Sequence, residues 1–110
     1  MSIENVVERY FDAIRARDID GLLGLYAKDA MFILPNGKEL RGVVAIAEMQ
    51  RGVFAGAAPI PTVVSKVLGE NCAAVEIEAR LADGSLRRTA NFYQLSSAGR
   101  IARLSVYMRS

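Results

Sequence analysis

The chain has 110 residues, 52% of them hydrophobic and 24% charged, with a net charge of +2, a balance that builds one globular core and excludes a disordered or collagen-like chain. That length assigns a single domain over residues 1–110. The longest basic run is Arg87-Arg88, so the charge pattern excludes nucleic acid as a partner.

Uninterrupted apolar stretches such as Ala30 to Leu34 are far too short to span a bilayer, and Glu4 and Glu8 stand where a signal peptide would be basic and then apolar. The expectation is a cytoplasmic protein with no membrane partner. The lone Cys72 cannot form an intrachain disulfide, agrees with a reducing compartment, and reads as a small buried hydrophobe. With no His in the chain, Ser-His-Asp and Cys-His chemistry are excluded, and only carboxylates remain as metal ligands, so no metal or cofactor is expected.

Ile3, Val6, Val7, Tyr10, Phe11 and Ile14 recur at three- and four-residue spacing opposite Glu4, Glu8, Asp12 and Arg15, which predicts an amphipathic helix with Ser2 as its N-cap. Asp18 caps a second, shorter helix, with Ile19, Leu22, Leu23 and Tyr26 on one face. Met31 to Leu34 reads as a strand closed by the turn Pro35-Asn36-Gly37, and Gly42 opens a third helix to about Phe54.

From Pro59 the period changes to two. Strands follow at Thr62 to Leu68, Ala73 to Leu81, Leu86 to Leu95 and Ile101 to Arg109. In the second of these, Ala73, Val75, Ile77, Ala79 and Leu81 alternate with Cys72, Ala74, Glu76, Glu78 and Arg80. Two registers compete at the next hairpin. A three-residue loop, Ala82-Asp83-Gly84 with Gly84 left-handed, sets Glu78 against Arg88 outside and puts Thr89, Asn91 and Tyr93 inside beside Ile77, Val75 and Ala73. A two-residue loop groups Glu76, Glu78 and Arg80 with Asn91 and buries several charges, so the three-residue loop is favoured.

The run LYAKDAMFILPNG at Leu25 to Gly37, Gly42 before a helix, and the ending LSSAGRIARLSVYMRS resemble the SnoaL-like and ketosteroid isomerase-like branch of the nuclear transport factor 2-like superfamily. The resemblance implies an α+β fold: a conical, cystatin-like α+β barrel of three N-terminal helices packed on a curved antiparallel sheet. It also implies an open-ended apolar pocket and a homodimer. ERYFDAI at Glu8 to Ile14 is similar to the helix that carries the oxyanion-binding tyrosine of ketosteroid isomerase, with Tyr10 at that position. The carboxylate base of such an enzyme falls on Leu34, which cannot take a proton, and its protonated acid falls near Asn91, which can still donate.

Tyr10 and Asn91 are thus the catalytic candidates, expected to converge on one ligand oxygen. Tyr26, Phe32, Leu34, Phe54, Val75, Ile77, Tyr93, Leu104, Val106 and Met108 are expected to wall a pocket for an apolar small molecule. Glu76 and Glu78 read as outer-face residues, with a substitute base as the minority alternative. Three functions stay open: an isomerase or cyclase for an apolar carbonyl compound, a binding domain without turnover, and a dimerisation module in which Ala90 and Phe92 face outward from the sheet.

Overall fold

A computed structural model describes residues 2–56 and 59–109. The first helix, α1, spans Ile3–Ala16; Ser2 Oγ accepts from the Asn5 amide at its start, and Arg17 closes it in the left-handed conformation. Asp18 then accepts from the Gly21 amide and caps α2, Ile19–Leu23. That helix is shorter than expected. Tyr26 is not on its face but opens strand β1, Tyr26–Ile33. A five-residue helix holds little more than one turn, so helical spacing alone cannot tell its continuation from the strand that follows.

A three-residue strand absent from the sequence reading, β2 (Glu39–Arg41), pairs back on β1. Gly42, at φ 89°, turns the chain into α3, Val43–Ala55. The remaining strands are β3 (Ile60–Leu68), β4 (Cys72–Arg80), β5 (Leu86–Leu95) and β6 (Ile101–Arg109). Sheet order is β2-β1-β6-β5-β4-β3. The sheet is not wholly antiparallel as expected, because β1 lies parallel to β6. Irregularities between Val63 and Ser65 and between Gln94 and Leu95 break the ladders, and such bulges bend and twist a sheet. The result is three helices packed on a curved, six-stranded α+β sheet.

The β4–β5 hairpin adopts the three-residue loop. Leu81 donates its amide to the Ser85 carbonyl, Gly84 is left-handed at φ 86°, and Glu78 stands opposite Arg88 at 3.1 Å. Asn91 therefore pairs with Val75 and Tyr93 with Ala73 on the face toward the helices. The core lies between that face and the apolar sides of α1 and α3, with Val6, Val7, Leu22, Ile46, Val75, Ile101 and Leu104 essentially sealed. Cys72 is exposed, not a core hydrophobe as expected, because it begins β4 on the outer face.

Candidate functional site

Along the inner face of β5, side chains pass from sealed to open. Tyr93 is 2% exposed and Asn91 6%, Thr89 is half-buried and Arg87 is exposed. The neighbouring β6 repeats the trend: Leu104 is sealed, Val106 half-buried and Met108 48% exposed. Strand side chains of one face recur every second residue, so the inner face passes from sealed core to solvent at the start of β5 and the end of β6, the open end of the sheet. Leu34, one residue beyond the Ile33–Ser105 pair, lies level with Val106 at this end. Phe54 closes α3 there too, since Arg17 Nη1 donates to its carbonyl and Arg15 Nε donates to Pro61 at the start of β3. Leu34, Phe54 and Val106, the apolar lip of this end, are each partly buried against the core. Met108, expected as interior wall, instead projects from the strand end and reaches an outer groove.

Below the opening the interior is aromatic and polar at once. The Tyr10 ring meets Tyr93 edge-on at 5.3 Å and Tyr26 at 6.4 Å between centroids. Asn91 Nδ2 donates to Tyr93 Oη at 3.0 Å. The order inward is thus Asn91, Tyr93, Tyr10, Tyr26, the last paired with Ile101 near the closed end. Phe32, Val75, Ile77 and Leu104 pack around them, all buried. Tyr10 and Asn91 share the interior as expected, but Tyr93 stands between them. A ligand oxygen reaching both would have to displace its ring.

One interior residue escaped the sequence reading. Gln50 is buried on α3 and acts on both the Tyr10 and Tyr26 hydroxyls. Its signal was present: it occupies the same helical stripe as Val43, Ile46, Ala47 and Phe54, and a polar side chain within such a stripe is either buried or at a site. Burial pushes the Tyr10 phenol up to about 12, with Tyr26 and Gln50 pulling partly the other way. Burial also raises Tyr26 and Tyr93 well above the ordinary phenol range, and repulsion from an ionised Tyr10 adds to both. Although Tyr10 and Gln50 lie near the Tyr26 oxygen, neither meets hydrogen-bond geometry with it. It is the one sealed side-chain polar atom without a partner among the described residues.

The interior therefore offers donors without a base. Its buried polar residues are Gln50 and Asn91 plus the three phenols, Ser105 being buried beside Phe92 on the other side of β6, and no Asp or Glu of the described residues is buried. Glu76 accepts from Ser65 Oγ at 2.6 Å and Glu78 pairs with Arg88, both on the outer face. Neither can serve as the substitute base considered above. No group of three or more Cys, Asp or Glu with metal-binding geometry occurs among the described residues.

A SnoaL-like domain profile matches residues 7–104. The chain belongs to the SnoaL-like family. The SnoaL-like resemblance drawn from Leu25 to Gly37 and from the C-terminal strand is borne out, and its ketosteroid isomerase-like and nuclear transport factor 2-like side is borne out as a likeness of fold. Among solved structures, this SnoaL-like chain is similar to a candidate polyketide cyclase from Sinorhizobium meliloti, at 27% identity and TM-score 0.83, covering 93% of each chain. It is also similar to a candidate ketosteroid isomerase from Kribbella flavida, at 19% identity and TM-score 0.87, covering 96% of this chain and 76% of that one. A protein of unknown function with a cystatin-like fold from Methylobium petroleophilum matches at 21% identity and TM-score 0.86, covering 97% of this chain and 75% of that one. No curated protein matches the SnoaL-like sequence. No helix among the described residues is long and apolar enough to cross a membrane.

Proposed function

We propose that this SnoaL-like protein binds an apolar carbonyl compound in the mouth of the cone and polarises it without removing a proton. The observation that carries the reading is the passage on β5 from sealed Tyr93 through Asn91 to half-buried Thr89, which supports Asn91 as the floor of the mouth. An amide nitrogen carries two hydrogens. One goes to Tyr93 Oη, which leaves the second, together with the Tyr93 proton, for a ligand oxygen. The lip of Leu34, Phe54 and Val106 takes the apolar body. Tyr10 backs Tyr93 from below. Titration of the protein with a decalone tests this: Asn91→Leu is expected to weaken binding by about 0.5–1.5 kcal/mol, the net worth of a neutral hydrogen bond. Equal affinity of the two proteins for the ketone would overturn the proposal.

An isomerase or cyclase is the second reading, favoured by phenols that burial keeps protonated and so able to face a developing oxyanion. It requires a base brought by the substrate or by water. Exchange of the decalone α-hydrogens in deuterated water, followed by NMR, separates the two. Binding alone predicts no acceleration by the native protein and weak acceleration by Leu34→Asp, which sets a carboxylate on the lip.

As partner we propose a second copy of the chain on the outer face of the sheet, where Phe92 and Tyr107 are exposed and meet edge-on at 5.4 Å. We place the protein in the cytoplasm, where an exposed, free thiol such as Cys72 stays reduced.

A further inference from the structure

The inner face of β5 does not end at the apolar lip. Arg87, Thr89, Asn91 and Tyr93 alternate along it, opposite Ala79, Ile77, Val75 and Ala73 of β4, so a guanidinium, a hydroxyl, an amide and a phenol stand in one column. A strand rises about 3.4 Å per residue, which puts the Arg87 Cα roughly 14 Å from that of Asn91. An Arg side chain can reach back over part of that distance.

Neighbouring charges are already committed. Arg88 pairs with Glu78 on the outer face, and Arg15 pairs with Asp12 while donating to Pro61. Arg87 has neither an ion pair nor a side-chain hydrogen bond among the described residues. Arg80 and Arg109, in the rungs Arg80–Leu86 and Arg88–Arg109, stand with Arg88 on the outer face, and Arg17 donates to the Phe54 carbonyl. Asp12 pairs with Arg15, Glu78 with Arg88 on the outer face, and Asp83 in the hairpin accepts from Ser85. Among the described residues Arg87 is therefore the uncommitted cation of the inner-face column, beyond the partly buried Leu34, Phe54 and Val106.

We infer that the ligand of this mouth is an apolar oxo-carboxylate, its carbonyl on Asn91 and its carboxylate on Arg87. This rests on the binding reading above and narrows it to a class of compound. The lip excludes water from the body of such a molecule, while the carboxylate stays at the exposed rim, where its desolvation costs little. A planar guanidinium meets a carboxylate with two parallel hydrogen bonds.

The test compares an oxodecanoate, its ketone at the end remote from the carboxylate, with the methyl ester of the same acid, each titrated into the native protein, Arg87→Gln and Arg88→Gln. The native protein is expected to prefer the acid by roughly three- to tenfold, as for a partly exposed charge-assisted contact. That preference is expected to shrink with added salt, vanish in Arg87→Gln and persist in Arg88→Gln, whose guanidinium faces the other side of the sheet. Equal binding of acid and ester by the native protein, or a preference that survives in Arg87→Gln, overturns the inference while leaving the mouth as a site for ketones. Failure of both compounds to bind overturns the inference together with the reading it rests on.

Discussion

Three buried tyrosines fill one interior, and their hydroxyls differ in what they cost. The Tyr93 hydroxyl accepts from Asn91, whereas the Tyr26 hydroxyl has no partner. Removing an unpaired buried hydroxyl gives back its desolvation penalty, so Tyr26→Phe is expected to leave stability unchanged or raise it by about 1 kcal/mol. Tyr93→Phe strands the Asn91 amide and is expected to cost about 1–2 kcal/mol. Urea unfolding of the two variants checks the pair; a Tyr26→Phe protein less stable than Tyr93→Phe would contradict the assignment. The same burial sets the alkaline limit. Folding raises the Tyr10 pKa to about 12 from about 10 in the unfolded chain, so above pH 10 the folded state holds the proton that the unfolded state loses. Stability is then full below about pH 10 and falls as pH rises toward 12, with Tyr26 and Tyr93 acting in the same direction. Unfolding midpoints across that range are expected to drop steeply, and the drop should be shallower in Tyr10→Phe.

At the scale of elements, strict alternation made β4 and β5 legible, and with them most of the candidate site. Glu78 could face Arg88 only if Gly84 took a left-handed loop position, and burial of charges disfavoured the other register, so Asn91 could be placed inside before any coordinates. Where local pattern carried less information, the reading failed. Tyr26 continues the spacing of Leu22 and Leu23 yet belongs to β1, because a strand partner distant in sequence, Ile101, takes the Leu25 carbonyl. The parallel pairing of β1 with β6 is likewise a long-range choice that neither segment encodes alone. Gln50 is less legible for another reason: a lone amide in the apolar stripe of α3 is buried only because the Tyr10 and Tyr26 hydroxyls, distant in sequence, lie beside it. The hairpin supports a clean test. A Cβ at Gly84 meets nothing within 4 Å, so Gly84→Ala pays only for its left-handed backbone, about 1 kcal/mol. Glu78→Gln, which breaks an exposed pair, is expected to cost about 0–1 kcal/mol. Thermal unfolding of both variants measures these costs, and a loss of ketone binding in Glu78→Gln would return the carboxylate to the interior.

For the whole molecule, the decisive asymmetry lies between the two faces of the sheet. Helices cover the inner face, while the outer face holds Val67, Phe92 and Tyr107 exposed beside open grooves of about 750 and 540 Å³. Exposed apolar surface of this kind is what the second copy proposed above would cover. The mouth stays clear in this arrangement, since its lip belongs to the inner face. Sedimentation at micromolar concentration is expected to show a dimer, and Phe92→Asp, which places a charge at the centre of the patch, a monomer. Cys72 reports independently because it lines the larger groove: alkylation should be slow in the native protein and fast in Phe92→Asp. A native monomer, or equal alkylation rates in the two proteins, would leave the outer face without the partner proposed for it.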